Sequence, residues 1–436
     1  MRFSKLSTIG LTAAALSLAS GWIVADAQEA AGAPAIRGTY INFMDAQNAR
    51  AEGRPIALVS QQFPASTARV PTQAQFGSDA TATTGLTLAP YTVVSSRDGN
   101  TYSGVIVGSS PDSPATVRVA TRIVPMIIEV NSVATSISSS GRITSAPGHY
   151  TASAKAADTT CLTAPNDVPV NLVAQSPLFT KTAFSFGGTV IGTTQYVDAF
   201  MRGEFYNESH GVPGKYHLLL SPSNEVQAVV VNVPASFGVA LDSSLFSGGC
   251  GTLTYININW FDAYVQSVIL PALAAHDGVT PANLPMLVLY NTVLGVNTRT
   301  LTQCCILGYH GATGTAVTDQ TYSVTDFEST GLFGPTVADT AIGAHELNEW
   351  ANDPFGNNPT PAWGHTGQVT GCQNNLEVGD PLSGTDIPTI TMPNGFTYHL
   401  QELAFFSWFY GAPTVGVNGW YSDNNTFTTD AGPPCT

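Results

Sequence analysis

The sequence predicts an α+β protein, and three observations carry that prediction. Strand-like patterning dominates from Tyr91 to about Ile143, further strand patterns recur between residues 216 and 310, and a helical segment near 336–351 gathers ionisable side chains. The expected organisation is a β-rich N-terminal domain at 28–160 and a mixed α/β domain at 161–436, and a chain of 436 residues is long enough for both.

The first element is an export signal. Arg2 and Lys5 precede an apolar run from Leu6 to Val24, and Ala25-Asp26-Ala27 supplies the small-x-small site that signal peptidase needs. Residues 1–27 are therefore expected to be a cleaved signal peptide, which makes the protein secreted or periplasmic; an uncleaved anchor helix is the alternative. Residues 28–90 are polar and turn-rich, with Ser78 to Thr87 close to low complexity, and are expected to be loosely ordered.

Strands are then expected at Thr101–Val107, Ala115–Val119 and Ile123–Val130, and a domain boundary between His149 and Val168, where Ala, Asp, Thr and Pro cluster. Beyond it, strand patterns occupy Tyr216–Ser221 and Gln227–Val233. Asn259 reads as the cap of a helix whose apolar positions Phe261, Val265, Val268 and Ile269 recur at helical spacing until Pro271 ends or kinks it. Two buried-type strands follow at Met286–Asn291 and Cys305–His310, and a helix is expected over Thr336–Ala351, closed by Asn352-Asp353-Pro354.

Composition excludes some partners. Lys+Arg number 15 against 30 Asp+Glu, a net charge of −15, which disfavours nucleic acid and anionic membrane surfaces. After the signal, the most apolar stretch, Ile258 to Ala275, is interrupted by Asp262, Gln266 and Pro271 and does not read as a span. The six cysteines, Cys161, Cys250, Cys304, Cys305, Cys372 and Cys435, suit disulfides in an oxidising compartment and fit no zinc-finger spacing. Cys304 and Cys305 are expected to bond to different partners, because a ring closed by neighbours is strained.

The chemistry-bearing stretch is Ala344-His345-Glu346-Leu347-Asn348-Glu349-Trp350. On a helix, His345 and Glu349 lie one turn apart on one face, the arrangement of two metal ligands, and Glu346 follows the first ligand directly. This H-E-x-x-E pattern resembles the H-E-x-x-H of zincin metallopeptidases with its last His replaced by a carboxylate, and Phe355 stands where a metzincin keeps its third His. Glu377-Val378-Gly379-Asp380 resembles the gluzincin element that completes such a site.

The resemblance implies a zincin-like domain with a metal-binding active helix. Zn²⁺, one per chain, would be held by His345, Glu349 and Glu377, with Asp380 and His365 as alternative ligands and Glu346 as the general base acting on a peptide or protein substrate. Ca²⁺ on Glu349, Glu377, Asp380 and Asp353 is the less favoured cation, because His345 on the helix face suits zinc. His310 reads as a hydrogen-bonded core residue, Asp353 as a turn residue, and Trp350 and Trp363 as packing.

The C-terminal half also resembles the EXORDIUM or phosphate-induced family of secreted plant proteins. The shared motifs are His345 to Glu349, Asp353-Pro354, Ala362-Trp363, Glu377 to Asp380, Gly308-Tyr309-His310, and Phe396 to His399 leading into the aromatic run Phe405 to Tyr410. That likeness spans residues 250–436 as short motifs, with an insertion between Trp363 and Glu377. It implies an extracellular metal-site protein and leaves open a non-catalytic, cell-wall-associated binding role.

Overall fold

A computed structural model describes residues 23–25 and 85–436, apart from 163, 165–166, 212–215, 223–226, 247 and 412. The predicted signal peptide and the polar stretch up to about residue 90 lie almost wholly outside the described residues. Among the described residues strand accounts for 40% and helix for 21%, so the α+β expectation holds, with more strand than helix.

Strands β1 (Leu88–Val94) and β2 (Thr101–Val107) form an antiparallel hairpin. The next strand, β3 (Thr116–Ile137), runs for 22 residues and joins the two shorter strands expected there. It is continuous because Ala120, Thr121 and Arg122, between the two apolar runs, keep their pairing to a neighbouring strand. After β4 (Ile143–Ser153) and helix α1 (Tyr196–Glu204) come β5 (His217–Pro222), β6 (Val229–Val233), β7 (Gly238–Asp242) and β8 (Thr252–Asn257).

Helices α2 (Ile258–Tyr264) and α3 (Leu270–His276) follow, joined by a π turn at Val265–Ile269. Asn257, rather than Asn259, caps α2, its Oδ1 accepting the Trp260 N–H at 2.9 Å. Pro271 does not end the helix: it sits in the first turn of α3, where a missing N–H is tolerated.

The remaining strands of the large sheet are β9 (Asn283–Tyr290), β10 (Thr292–Gly295), β11 (Cys304–Ile306), β12 (Gly308–Ala312) and β13 (Thr321–Phe327). One large sheet results, with the order β11-β10-β8-β7-β3-β9-β13-β12; β4, β5 and β6 also pair with β3, and Ile23–Ala25 lies beside β6. Since β3 pairs in parallel with β9, the boundary expected at 149–168 does not separate two sheets. The composition shift there marks a connection between elements of one sheet.

Strand β9 shows how the core is divided. All eight residues are buried, as a parallel strand covered on both faces requires. Leu287 and Leu289 face the cluster that contains Trp260, Phe261 and Leu273 of α2 and α3. Met286 and Val288 face the opposite cluster, with Phe200 of α1 and with Ala344, Leu347 and Trp350 of α4 (Ala341–Asn352). The sheet is thus sandwiched, and α4 lies wholly buried on one face against β12 and β13.

Helix α4 starts later than the expected Thr336. Pro335–Val337 makes a separate 3₁₀ turn, and Asp339, at φ 43°, breaks the path before Ala341. Beyond it, β14 (Pro359–Thr366) and β15 (Val369–Asn375) form a hairpin. Among the described residues, no helix is long and apolar enough to cross a membrane.

The disulfides are Cys161–Cys250, Cys304–Cys305 and Cys372–Cys435. The expectation that the adjacent pair would bond elsewhere is corrected: the other four sulfurs pair among themselves, and Cys304 and Cys305 are both wholly buried in β11 and joined to each other. Non-reducing peptide mapping should recover these three linkages, with residues 304 and 305 in one peptide carrying no free thiol. Leu287→Ala, which empties a site between β9 and the α2–α3 layer, should cost about 2–5 kcal/mol in denaturant unfolding.

Candidate metal centre

Helix α4 carries His345, Glu346 and Glu349 into the core, 0%, 0% and 3% exposed. Three further ionisable side chains meet them: His310 from β12 at 8%, and Glu377 and Asp380 from the segment after β15 at 2% and 7%. Two groups of potential ligand atoms result, each lying within 4.8 Å of one another: His345 with Glu349 and Asp380, and His310 with Glu346 and Glu349. Buried His, Glu and Asp groups able to hold a metal ion are therefore present, and Glu349 belongs to both.

The imidazoles are oriented by their outer nitrogens. His345 Nδ1 lies 3.0 Å from Gln401 Oε1, and the Gln401 amide donates to Gly379 O at 2.7 Å, which fixes Oε1 as the acceptor. Nδ1 must then donate, and Nε2 is left as the inward lone pair, 2.9 Å from Glu349 Oε1 and 3.6 Å from Asp380 Oδ1. His310 follows the same logic. Its Nε2 donates to the Asp353 carbonyl, at the end of α4, over 3.1 Å, so that Nδ1 faces Glu346 Oε2 and Glu349 Oε2, each 3.5 Å away. Both inward nitrogens are buried and face carboxylate oxygens, as expected of atoms suited to a cation.

The carboxylates are held as firmly. Glu349 Oε1 accepts the backbone N–H groups of Gly379 and Asp380 at 3.2 Å each. Asp380 is gripped by two amides of the β14–β15 hairpin, Gln368 on Oδ1 and Gln373 on Oδ2, the latter at 2.8 Å. Glu377 takes the Asn375 amide on Oε1, and its Oε2 lies 4.0 Å from His310 Nε2.

Glycine permits the two closest approaches. A Cβ on Gly379 would stand 2.6 Å from the His345 ring, and one on Gly308 would stand 2.5 Å from Ile342 and 2.9 Å from Glu346 Cγ.

These neighbours set the charges. Burial opposes ionisation of both imidazoles, but the facing carboxylates, Glu349 and Glu346 above all, outweigh it and raise His345 and His310 well above the usual histidine range. Burial also works against Glu349, yet the charge of His345, with His310, holds it below the ordinary carboxylate range. Burial pushes Glu346 up; burial together with the charge of Glu349 pushes Glu377 and Asp380 up. The field that favours a proton on the inward nitrogens favours a metal cation there too, and the two compete for the same atoms.

The structure brings together His345, Glu349 and Asp380, and so reverses the expected order of the two acidic candidates. Asp380 reaches His345 because the turn at Gly379 packs its backbone against Glu349, whereas Glu377, before that turn, lies toward His310. His365 is corrected away from the centre: it lies in the hairpin beside Cys372 and Cys435, whose sulfurs are joined to each other. Asp353 is a turn residue as expected, its Oδ1 accepting the N–H groups of Asn357 and Asn358 at 2.8 and 3.0 Å, and it belongs to neither group of potential ligand atoms. Trp350 and Trp363 are buried packing residues whose indoles donate to Thr321 Oγ1 and Asn375 O.

Sequence reasoning missed Gln401 and the inward nitrogen of His310. The available signals were weak: the polar pair Gln401-Glu402 between Leu400 and Leu403, and the Gly-aromatic-His strand already noted. Compared with known proteins, the chain matches no family model, no curated protein and no solved structure.

Gln401→Leu should weaken metal affinity by about 10–100-fold, read by competition with a chromophoric chelator, because His345 loses the acceptor that fixes its ring. Gly379→Ala should act in the same direction by driving a methyl group into that ring.

Proposed function

We propose that this chain is an exported zinc-dependent hydrolase acting on peptide bonds, with His345, Glu349 and Asp380 as the ligands and Glu346 as the proton acceptor. The observation that carries the reading is the pair of buried imidazoles, each tied at one nitrogen to an oxygen acceptor and aimed with the other at Glu349. A donor set of imidazole and carboxylates suits zinc. When bound, the ion supplies Lewis acidity for a scissile carbonyl and lowers the pKa of a water.

The chain's own residues supply the rest. Glu346 follows His345 in the chain and its carboxylate lies within ligand distance of Glu349, so it serves to take a proton from an attacking water. Backbone N–H groups of Gly379 and Asp380 keep Glu349 in place, and Gln368 and Gln373 keep Asp380. Export is supported by the N-terminal sequence pattern and by the disulfides, which suit an oxidising compartment.

The burial of all six side chains, none more than 8% exposed, favours a second reading: a secreted binding protein whose metal serves the fold. Elemental analysis after dialysis separates these possibilities. The expected result is about one zinc per chain, lost in His345→Ala, while Glu346→Gln keeps the zinc and lowers peptide hydrolysis by about 10²–10⁴-fold. Zinc with no hydrolysis in the wild type would leave the second reading, and no zinc would overturn both.

A further inference from the structure

Glu349 turns its two oxygens to different partners. Oε1 faces His345 Nε2 at 2.9 Å, and Oε2 faces His310 Nδ1 at 3.5 Å, so one carboxylate stands between two imidazoles. The group around His310 is complete in itself: His310 Nδ1, Glu346 and Glu349 offer one nitrogen and two carboxylate donors within 4.8 Å. His310 Nδ1 is buried and aimed at both carboxylates, 3.5 Å from each, while Nε2 is held on the Asp353 carbonyl.

We infer that the centre has a second, weaker divalent-cation subsite formed by His310, Glu346 and Glu349, with Glu349 bridging the two ions. The inference rests on the metal-centre reading above and deepens it.

The geometry also ranks the subsites. The His345 group is the tighter, with nitrogen and carboxylate 2.9 Å apart and two backbone N–H groups on the same oxygen; the His310 group has longer separations and must accept a cation beside one already bound. The functional consequence lies at Glu346. A carboxylate that ligates the second ion is a far weaker proton acceptor, so filling the weaker subsite switches off proton transfer. Hydrolysis would then fall at high zinc with the first ion still in place.

Titration of the metal-stripped full-length protein with zinc, followed calorimetrically and by elemental analysis, tests this. Two equivalents of unequal affinity are expected. His310→Ala should lose only the weaker one, Glu346→Gln likewise, and His345→Ala the tighter one. Mn²⁺ titration of the wild type, read by electron paramagnetic resonance, should give an exchange-coupled pair at two equivalents, a readout that does not depend on any variant folding. A single equivalent in the wild type, lost in both His310→Ala and His345→Ala, would mean one ion shared by the two imidazoles; it would overturn the second subsite and leave the proposed function standing. No binding at all would overturn the proposed function itself.

Discussion

Four carboxylates and two imidazoles are packed together in the interior, and this concentration of charge constrains everything near it. With all four acids ionised and both imidazoles protonated, two negative charges remain in excess. Removing such charges from water costs several kcal/mol per ion unless they are matched. The protein meets the cost by holding each group in a fixed direction. Gln401, the end of α4, the Gly379 turn and two hairpin glutamines each orient one member and leave its reactive side facing the shared centre.

The scaffold supplies these contacts from distant parts of the chain. Strand β12 brings His310 beside α4, while α4 is fixed from below by the sheet and from the side by α1. Its own polar residues are absorbed locally, Asn348 and Asn352 donating to helix carbonyls four residues earlier. A helix buried all round carries two acids and a histidine here because His310, Asp380 and the Gly379 turn face them. The small residues Gly308 and Gly379 are part of this arrangement, since they let a strand and a turn approach closely enough for the side chains to meet.

What the sequence revealed follows from distance along the chain. The His345–Glu349 pair was legible because helical spacing is local and needs no tertiary knowledge. Strand Thr101–Val107 was legible for the same reason. The choice between Glu377 and Asp380 depended on a turn whose shape is set by contact with Glu349, and no local pattern encodes it. His310 is 35 residues upstream of His345 on another element, so nothing in its own neighbourhood distinguished a ligand from a core histidine. The pairing of the adjacent cysteines is not legible either, because it depends on where the other four sulfurs lie in the fold. The composition shift near Cys161 looked like a domain border because the sequence does not show that β3 lies between strands on either side of it.

That long strand has a kinetic consequence. Strand β3 pairs with β4, which follows it closely, but also with β5, β6, β7 and β9, and β9 begins well over a hundred residues after β3 ends. No partial set of these pairings closes the sheet, so most of the chain must be present and collapsed before its central strand is covered. Such non-local pairing makes folding slow, because loop-closure entropy is spent before most contacts form. Until then one edge of β3, and the part of the other that β4 does not cover, stay unpaired, and the period before burial is when the chain is most open to association with its own copies.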